Sequence, residues 1–250
     1  GNPLSCTQSL PRKLESGTGS GAQSFLMQTS SFVKRCAVLL IFLGCWSAPG
    51  LLRGEEIRHE LVPVHSLPNS PLVEIRYATQ TNFTGQKLYP FPAAYVRKEV
   101  AEALSAVQND LANLGLGLKI YDGYRPLSVQ QKMWDLIQDE RYVSNPAKNR
   151  GRHTRGTAVD VTLVDKLGKE LVMPTDFDDF TEKAHSDSDD TDPEAKRNRK
   201  ILQEVMTRHG FEIYPYEWWH FDFQGWQKFP ALDVSFQELA GGEETTTALD

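Results

Sequence analysis

Residues 157–165 read TAVDVTLVD. Their β-branched residues predict a strand with Val159, Val161 and Leu163 on one face and Asp160 on the other. A lone carboxylate inside an apolar strand is costly to bury unless a cation pairs it. Any fold for this chain must therefore deliver a positive partner to Asp160. His153 stands seven residues upstream, and further on EWWHF sets Glu217 and His220 beside two tryptophans.

Around this strand, strand and helix signals alternate from about Glu56 to Phe236. Val96, Val100, Leu104, Val107, Leu111 and Leu114 recur at steps of three and four, one apolar helix face stopped by Gly115. LKIYD (118–122) follows as a short strand, closed by the turn residues Gly123 and Pro126. Ser128 with Gln131 makes a capping-box signature, opening a helix that carries Val129, Met133, Leu136 and Ile137. KRNRKILQEVMTRHG predicts another helix through Ile201, Leu202, Val205 and Met206, ended by Gly210. FEIYPYEWWHFDF (211–223) reads as one or two strands of an antiparallel pair. The pattern is that of an α+β single domain over residues 55–236, an antiparallel sheet flanked by helices. Residues 237–250 read as a disordered acidic tail.

Residues 1–54 stand apart. In KRCAVLLIFLGCWSA (34–48), two cations precede an apolar run of about eleven residues, which gives way to small and polar ones. That is the layout of a secretory signal, and it is short for a bilayer span. The Gly- and Ser-rich stretch before it reads as unstructured extension, with Met27 the natural initiator. FLGC (42–45) resembles a lipoprotein cleavage box with Cys45 as the lipidated residue, the alternative being ordinary cleavage near Ala48. Export to the periplasm or cell envelope is the expectation, with a cytoplasmic protein as the alternative. All three cysteines lie in the first 45 residues, which excludes disulfides and thiol catalysis from the rest. A net charge of -6 without a basic block argues against a nucleic-acid partner.

A hydrolytic zinc ion usually takes three ligands from His and carboxylates and keeps the fourth position for water. His153, Asp160 and His220 are a candidate set, with Gly156 and Ala158 small enough to let the chain turn closely before the strand. Glu217, near such a water but not bound to the ion, is a candidate general base. Arg125, in the turn DGYRP, is a candidate for stabilising an oxyanion. Each residue also has a plainer reading: a hydrogen-bonded histidine, a capping or ion-paired aspartate, a surface arginine or one paired with Asp122. Spacing alone does not choose between them.

Six motifs appear in order: IRYATQTNFTGQKLY (75–89), YDGYRP (121–126), HTRGTAVDVTLVD (153–165), FDDF (177–180), NRKIL (198–202) and GFEIYPYEWWHF (210–221). From about Val73 to Phe223 the chain resembles the zinc D-alanyl-D-alanine dipeptidases, the VanX type within the M15 peptidases. The resemblance implies a hedgehog/DD-peptidase-like zinc fold holding one Zn²⁺ per chain on His153, Asp160 and His220. It makes Glu217 the catalytic base and Arg125 the residue that polarises the scissile carbonyl. It also implies that Asp178 contacts the free amino group of the substrate and that Tyr77 lies near it. Gly151 departs from the family's usual serine, leaving a hydroxyl contact missing or supplied from elsewhere, such as Thr154. Pro174 stands where glycine is usual and fixes the local backbone.

The activity implied is zinc-dependent hydrolysis of a small D,D-dipeptide, D-alanyl-D-alanine, in cell-wall peptide metabolism. The same site would serve a D,D-carboxypeptidase or endopeptidase acting on peptidoglycan stem peptides. A non-catalytic zinc-scaffold binding domain, as in hedgehog signalling, is the alternative of another class. The intact set of Glu217, Arg125 and three ligands favours catalysis.

Overall fold

The computed structural model describes residues 61–246. The leader, Cys45 and the extreme C-terminus lie outside the described residues.

The strand carrying Asp160, β5 (Ala158–Asp165), is the middle strand of a five-stranded sheet and is buried along almost its whole length. The sheet order is β2 (Leu72–Val73), β4 (Leu116–Asp122), β5, β7 (His220–Phe223) and β6 (Phe211–Ile213). Its pairings are antiparallel except that β2 lies parallel to β4 at one edge. The aromatic segment 211–223 therefore forms two strands, β6 and β7, joined by the turn that holds Glu217. A separate antiparallel ribbon pairs β1 (Leu61–Pro63) with β3 (Tyr95–Arg97).

Helix α1 (Lys98–Asn113) packs on β4 through Val100, Leu104, Val107 and Leu111, all fully buried. Two residues of the predicted face belong elsewhere. Val96 is in β3, paired with Val62, and Leu114 lies past the helix end and is 60% exposed. Gly115 takes the left-handed turn (φ 74°) that stops the helix. Helix α2 (Leu127–Leu136) does not use the predicted capping box. It starts two residues earlier, after Pro126, so Ser128 sits inside the first turn and its N–H donates to Asp233 Oδ1 at 2.8 Å. Helix α3 (Pro193–Arg208) begins before the predicted segment. Asp192 caps it by accepting from Glu194 N at 2.7 Å, with Pro193 at the first helical position. Leu202, Val205 and Met206 form its buried face against β6 and α1.

The expected tail begins inside a helix. Helix α4 (Phe236–Thr246) buries Phe236 and Leu239, and the Phe236 ring sits 4.5 Å from Tyr89 and 5.8 Å from Tyr95. Two apolar anchors hold this helix on the core, and the acidic composition that reads as disorder belongs to the residues beyond them.

Candidate active site

Sheet register assembles the centre of the site. Asp160 on β5 pairs with His220 on β7 and, on its other side, with Asp122 on β4. Ile120 pairs with Val161 and Asp122 with Asp160, so β4 advances two residues where β5 advances one. This bulge sets Asp122 beside Asp160. Alternation along β7 then puts Asp222 on the same face as His220. The opposite face carries Val159, Val161, Leu163 and Phe221, all fully buried.

His153 arrives from a 3₁₀ turn, His153–Arg155, just before β5. Gly156 ends that turn at φ 69°, where a Cβ would stand 2.6 Å from Leu61 Cδ2. A side chain there would have to push Leu61 aside and hold a left-handed backbone, which glycine adopts without strain. The imidazole Nδ1 of His153 donates to Gly123 O at 2.7 Å. His220 Nε2 donates to Asp222 Oδ1 at 2.9 Å. In the neutral tautomers these bonds leave His153 Nε2 and His220 Nδ1 as lone pairs, 3.2 Å apart. Asp160 Oδ1 completes a triangle, 3.4 Å from His153 Nε2 and 3.0 Å from His220 Nδ1.

Two lone pairs and a carboxylate oxygen this close repel one another unless a proton or a metal cation lies between them. Ligands about 2.0–2.1 Å from a tetrahedral ion stand roughly 3.3 Å apart, so the triangle fits Zn²⁺. All three residues are buried, and each histidine has its other ring nitrogen tied down, which sets tautomer and ring plane. Arg152 Nε lies 3.2 Å from Asp222 Oδ2 and keeps that carboxylate in place.

Arg125 is neither a surface residue nor simply an ion-pair partner. Its Nε and Nη2 grip Asp122 Oδ2 at 3.1 and 2.6 Å, while Nη1 donates to Gln130 Oε1 at 2.9 Å. Asp122 in turn accepts from Tyr89 Oη and Gly123 N through Oδ1. Three of the five guanidinium N–H bonds are thus engaged, and two remain for a ligand in the cavity that Arg125 lines. Glu217 reaches the same cavity from the β6–β7 turn, its Oε2 3.7 Å from His220 Nδ1. Burial raises its carboxyl well above the usual carboxylate range. Trp218 and Trp219 are buried on either side of the turn, and Trp218 Nε1 donates to Thr175 Oγ1 at 2.9 Å.

That bond ties the turn to the loop holding Asp178. Asp178 sits at φ 63°, a left-handed conformation that costs a non-glycine residue about 1 kcal/mol. Its Oδ1 accepts from Tyr77 Oη at 2.9 Å, and its Oδ2 is buried with no hydrogen-bond partner. Burial pushes the Asp178 carboxyl up to about 7, against the pull of the Tyr77 hydroxyl. Tyr77 therefore serves the site by holding Asp178, and its ring lies under the Arg125 guanidinium at 5.3 Å.

The fold brings all seven predicted residues together: His153, Asp160, His220, Glu217, Arg125, Asp178 and Tyr77 line one cavity. Thr154 does not replace the missing hydroxyl. It is fully buried, and its Oγ1 donates to Arg150 O at 2.6 Å. Pro174 lies outside the cavity lining. Sequence reasoning missed Asp222 and Gln130. The alternation H-F-D on a strand carried a signal for Asp222, since residues two apart share a face. Gln130 carried none, being one of two adjacent glutamines on an amphipathic helix.

Two outcomes follow from these contacts. Asp222→Asn should weaken zinc binding about 10- to 100-fold in a chelator competition, with secondary structure unchanged. Unaltered affinity would remove Asp222 from the site. Asp178 holds a proton in the folded state up to about pH 7, whereas an ordinary aspartate loses it near pH 4. Ionising it therefore costs the folded state stability as pH rises through that window, and the penalty is fully present above it. Asp178→Asn should then raise the melting temperature more at pH 8 than at pH 5, and an equal or smaller rise at pH 8 would refute the assignment.

A family description of D-ala-D-ala dipeptidases, peptidase family M15, matches residues 58–238. The D-alanyl-D-alanine dipeptidase of Escherichia coli (strain K12) is 35% identical over 164 residues, covering 66% of this chain and 84% of that protein. The D-alanyl-D-alanine dipeptidase of Enterococcus faecalis (strain ATCC 700802 / V583) is 33% identical over 168 residues, 59% and 83% of the two chains. Among solved structures, that of the LdcB LD-carboxypeptidase aligns with a TM-score of 0.38 at 18% identity, over 74% of this chain and 73% of that one. The buried His–Asp–His triangle, a carboxylate beside it and an arginine facing it thus occur in a chain that belongs to the D-ala-D-ala dipeptidase family of M15 peptidases.

Proposed function

We propose that this protein is a zinc metallopeptidase that hydrolyses D-alanyl-D-alanine in cell-wall peptide metabolism. His153, Asp160 and His220 hold the ion, Glu217 is the base, and Arg125 is the electrophilic partner. The observation that carries the dipeptide reading is Asp178. A buried carboxylate with one oxygen unpartnered, in the same cavity as the metal donors, is built to receive an ammonium group. A free dipeptide offers that group next to its scissile bond, whereas a stem peptide offers an amide there. The cavity is also roofed by aromatic rings, with Tyr142 stacked on Phe180 at 4.8 Å and Phe180 against Phe83 at 5.2 Å.

When bound, Zn²⁺ supplies a Lewis acid and lowers the pKa of water at the site. Glu217, as the carboxylate, takes a proton from the attacking water as the new C–O bond forms, and its burial makes that carboxylate a stronger base. Arg125 directs its two remaining N–H bonds at the carbonyl oxygen as negative charge builds there. Glu217 then passes the proton to the amine nitrogen as the C–N bond breaks, releasing two amino acids. Asp178 keeps the substrate ammonium in place throughout, which fixes the carbonyl against Arg125 and Glu217.

The deciding assay is release of free D-alanine from D-Ala-D-Ala and from a stem pentapeptide, with and without chelator. D-Ala-D-Ala should be cleaved, chelation should abolish cleavage, and Glu217→Ala should lower kcat by about 10²–10⁴. Release from the pentapeptide alone would shift the reading to a D,D-carboxypeptidase. No release from either would point to the binding-scaffold alternative.

The segment 34–48, with its cations, apolar run and small residues, supports export of the protein to the cell envelope. Action on dipeptide outside the inner membrane follows from that, with FLGC supporting a lipid anchor on Cys45 and ordinary cleavage near Ala48 as the alternative. Mass spectrometry of the natural N-terminus should find a mature start at a lipidated Cys45 or near Ala48. An uncleaved leader would sink both.

A further inference from the structure

Between the ends of a zwitterionic dipeptide, the residues described above account for the ammonium, through Asp178, and the scissile carbonyl oxygen, through Arg125. The terminal carboxylate has no assigned donor. Gly151 lines the cavity two residues before His153 and, at φ 78°, brings no side chain to it. A Cβ placed there would stand 3.3 Å from Ser144 Cβ and 3.6 Å from its Oγ. Ser144 therefore borders the space that a side chain at 151 would enter, and it too lines the cavity.

Ser144 is held firmly for a loop residue. Its carbonyl accepts from Gln130 Nε2 at 2.8 Å, and Gln130 Oε1 accepts from Arg125 Nη1 at 2.9 Å. Gln130 is itself 1% exposed, so one buried amide fixes both Arg125 and Ser144. Val143, the preceding residue, is buried in the core, and its N–H donates to Asp139 O at 2.9 Å. The Ser144 hydroxyl, by contrast, has no hydrogen-bond partner among the described residues. It is a positioned donor without a partner, in a cavity where one substrate group lacks a donor.

We infer that Ser144 is a specificity-determining residue whose hydroxyl donates to the terminal carboxylate of the dipeptide. Gly151 is the companion residue, leaving that space open. This rests on the dipeptidase reading above. Gln130 acts through its neighbours as a positioning residue, setting Ser144 against the arginine that meets the carbonyl.

The test compares the zinc-loaded wild-type enzyme with Ser144→Ala on D-Ala-D-Ala and on its C-terminal amide, with zinc content and melting temperature measured alongside. A hydrogen bond to a charged group is worth about tenfold or more in binding. The substitution should therefore raise KM for D-Ala-D-Ala about tenfold, with kcat within about twofold. KM for the amide should change by less than about twofold, because the charge is already gone. Unchanged KM for D-Ala-D-Ala, or an equal rise for acid and amide, overturns the inference. So does loss of zinc or of thermal stability, which would make Ser144 structural. Failure of the wild-type enzyme to cleave D-Ala-D-Ala would defeat the functional reading instead, and is seen before any variant is made.

Discussion

Two imidazole nitrogens and a carboxylate oxygen meet within 3.4 Å in the interior of this protein. Such a cluster needs a positive charge at its centre, a proton or a metal ion, and each member is tied from behind. Gly123 O fixes His153, Asp222 fixes His220, and the strand backbone fixes Asp160 between them. A divalent cation can supply that charge, so the geometry that gathers the donors gives the ion its site. The five-stranded sheet can be understood as the frame that keeps these three donors from separating.

Around that centre the charges are sorted by how much of their bonding capacity the protein uses. Asp122 is saturated, with two hydrogen bonds on each oxygen, and its function is to aim Arg125. Arg125 is partly used and keeps two donors for a ligand. Asp178 is half used, and its orphan oxygen makes the loop carrying it electrostatically unfavourable until a cation arrives. The unfavourable features of the cavity are thus concentrated where a substrate ammonium and a metal ion would remove them. The Trp218–Thr175 bond and the Phe177–Trp219 contact, at 5.4 Å between ring centroids, join the Glu217 turn to the Asp178 loop. The two acids therefore belong to one rigid wall.

Much of the fold was legible because its signals are local. The α1 face, the apolar half of β5 and the aromatic pair of strands all follow from periodicity, and Gly115 and Gly210 end their helices through positive φ. Boundaries were misread where a tertiary partner took over from a local cap. Asp233 captures the Ser128 N–H and leaves the capping box unformed, Val96 is drawn into β3, and the core holds Phe236 and Leu239 in a helix that composition reads as tail. Residue types and order, set beside the family motifs, pointed to the seven candidate residues. Their supporting partners were not legible, since a glutamine on α2 or an aspartate after HF gains its meaning only from what it touches.

By itself the sequence determined which chemistry was available: histidines, carboxylates and one turn arginine, in a chain whose folded part lacks cysteine. It also marked Asp160 as costly to bury unless a cation pairs it. Only the tertiary structure decided which groups meet. The bulge in β4 and the register of β7 bring residues 122, 160 and 220 into one row, and register is a property of paired strands that no single segment carries. The same holds for Ser144 and Gly151, seven residues apart in sequence, which acquire a common function because Gln130 and a left-handed glycine set them side by side.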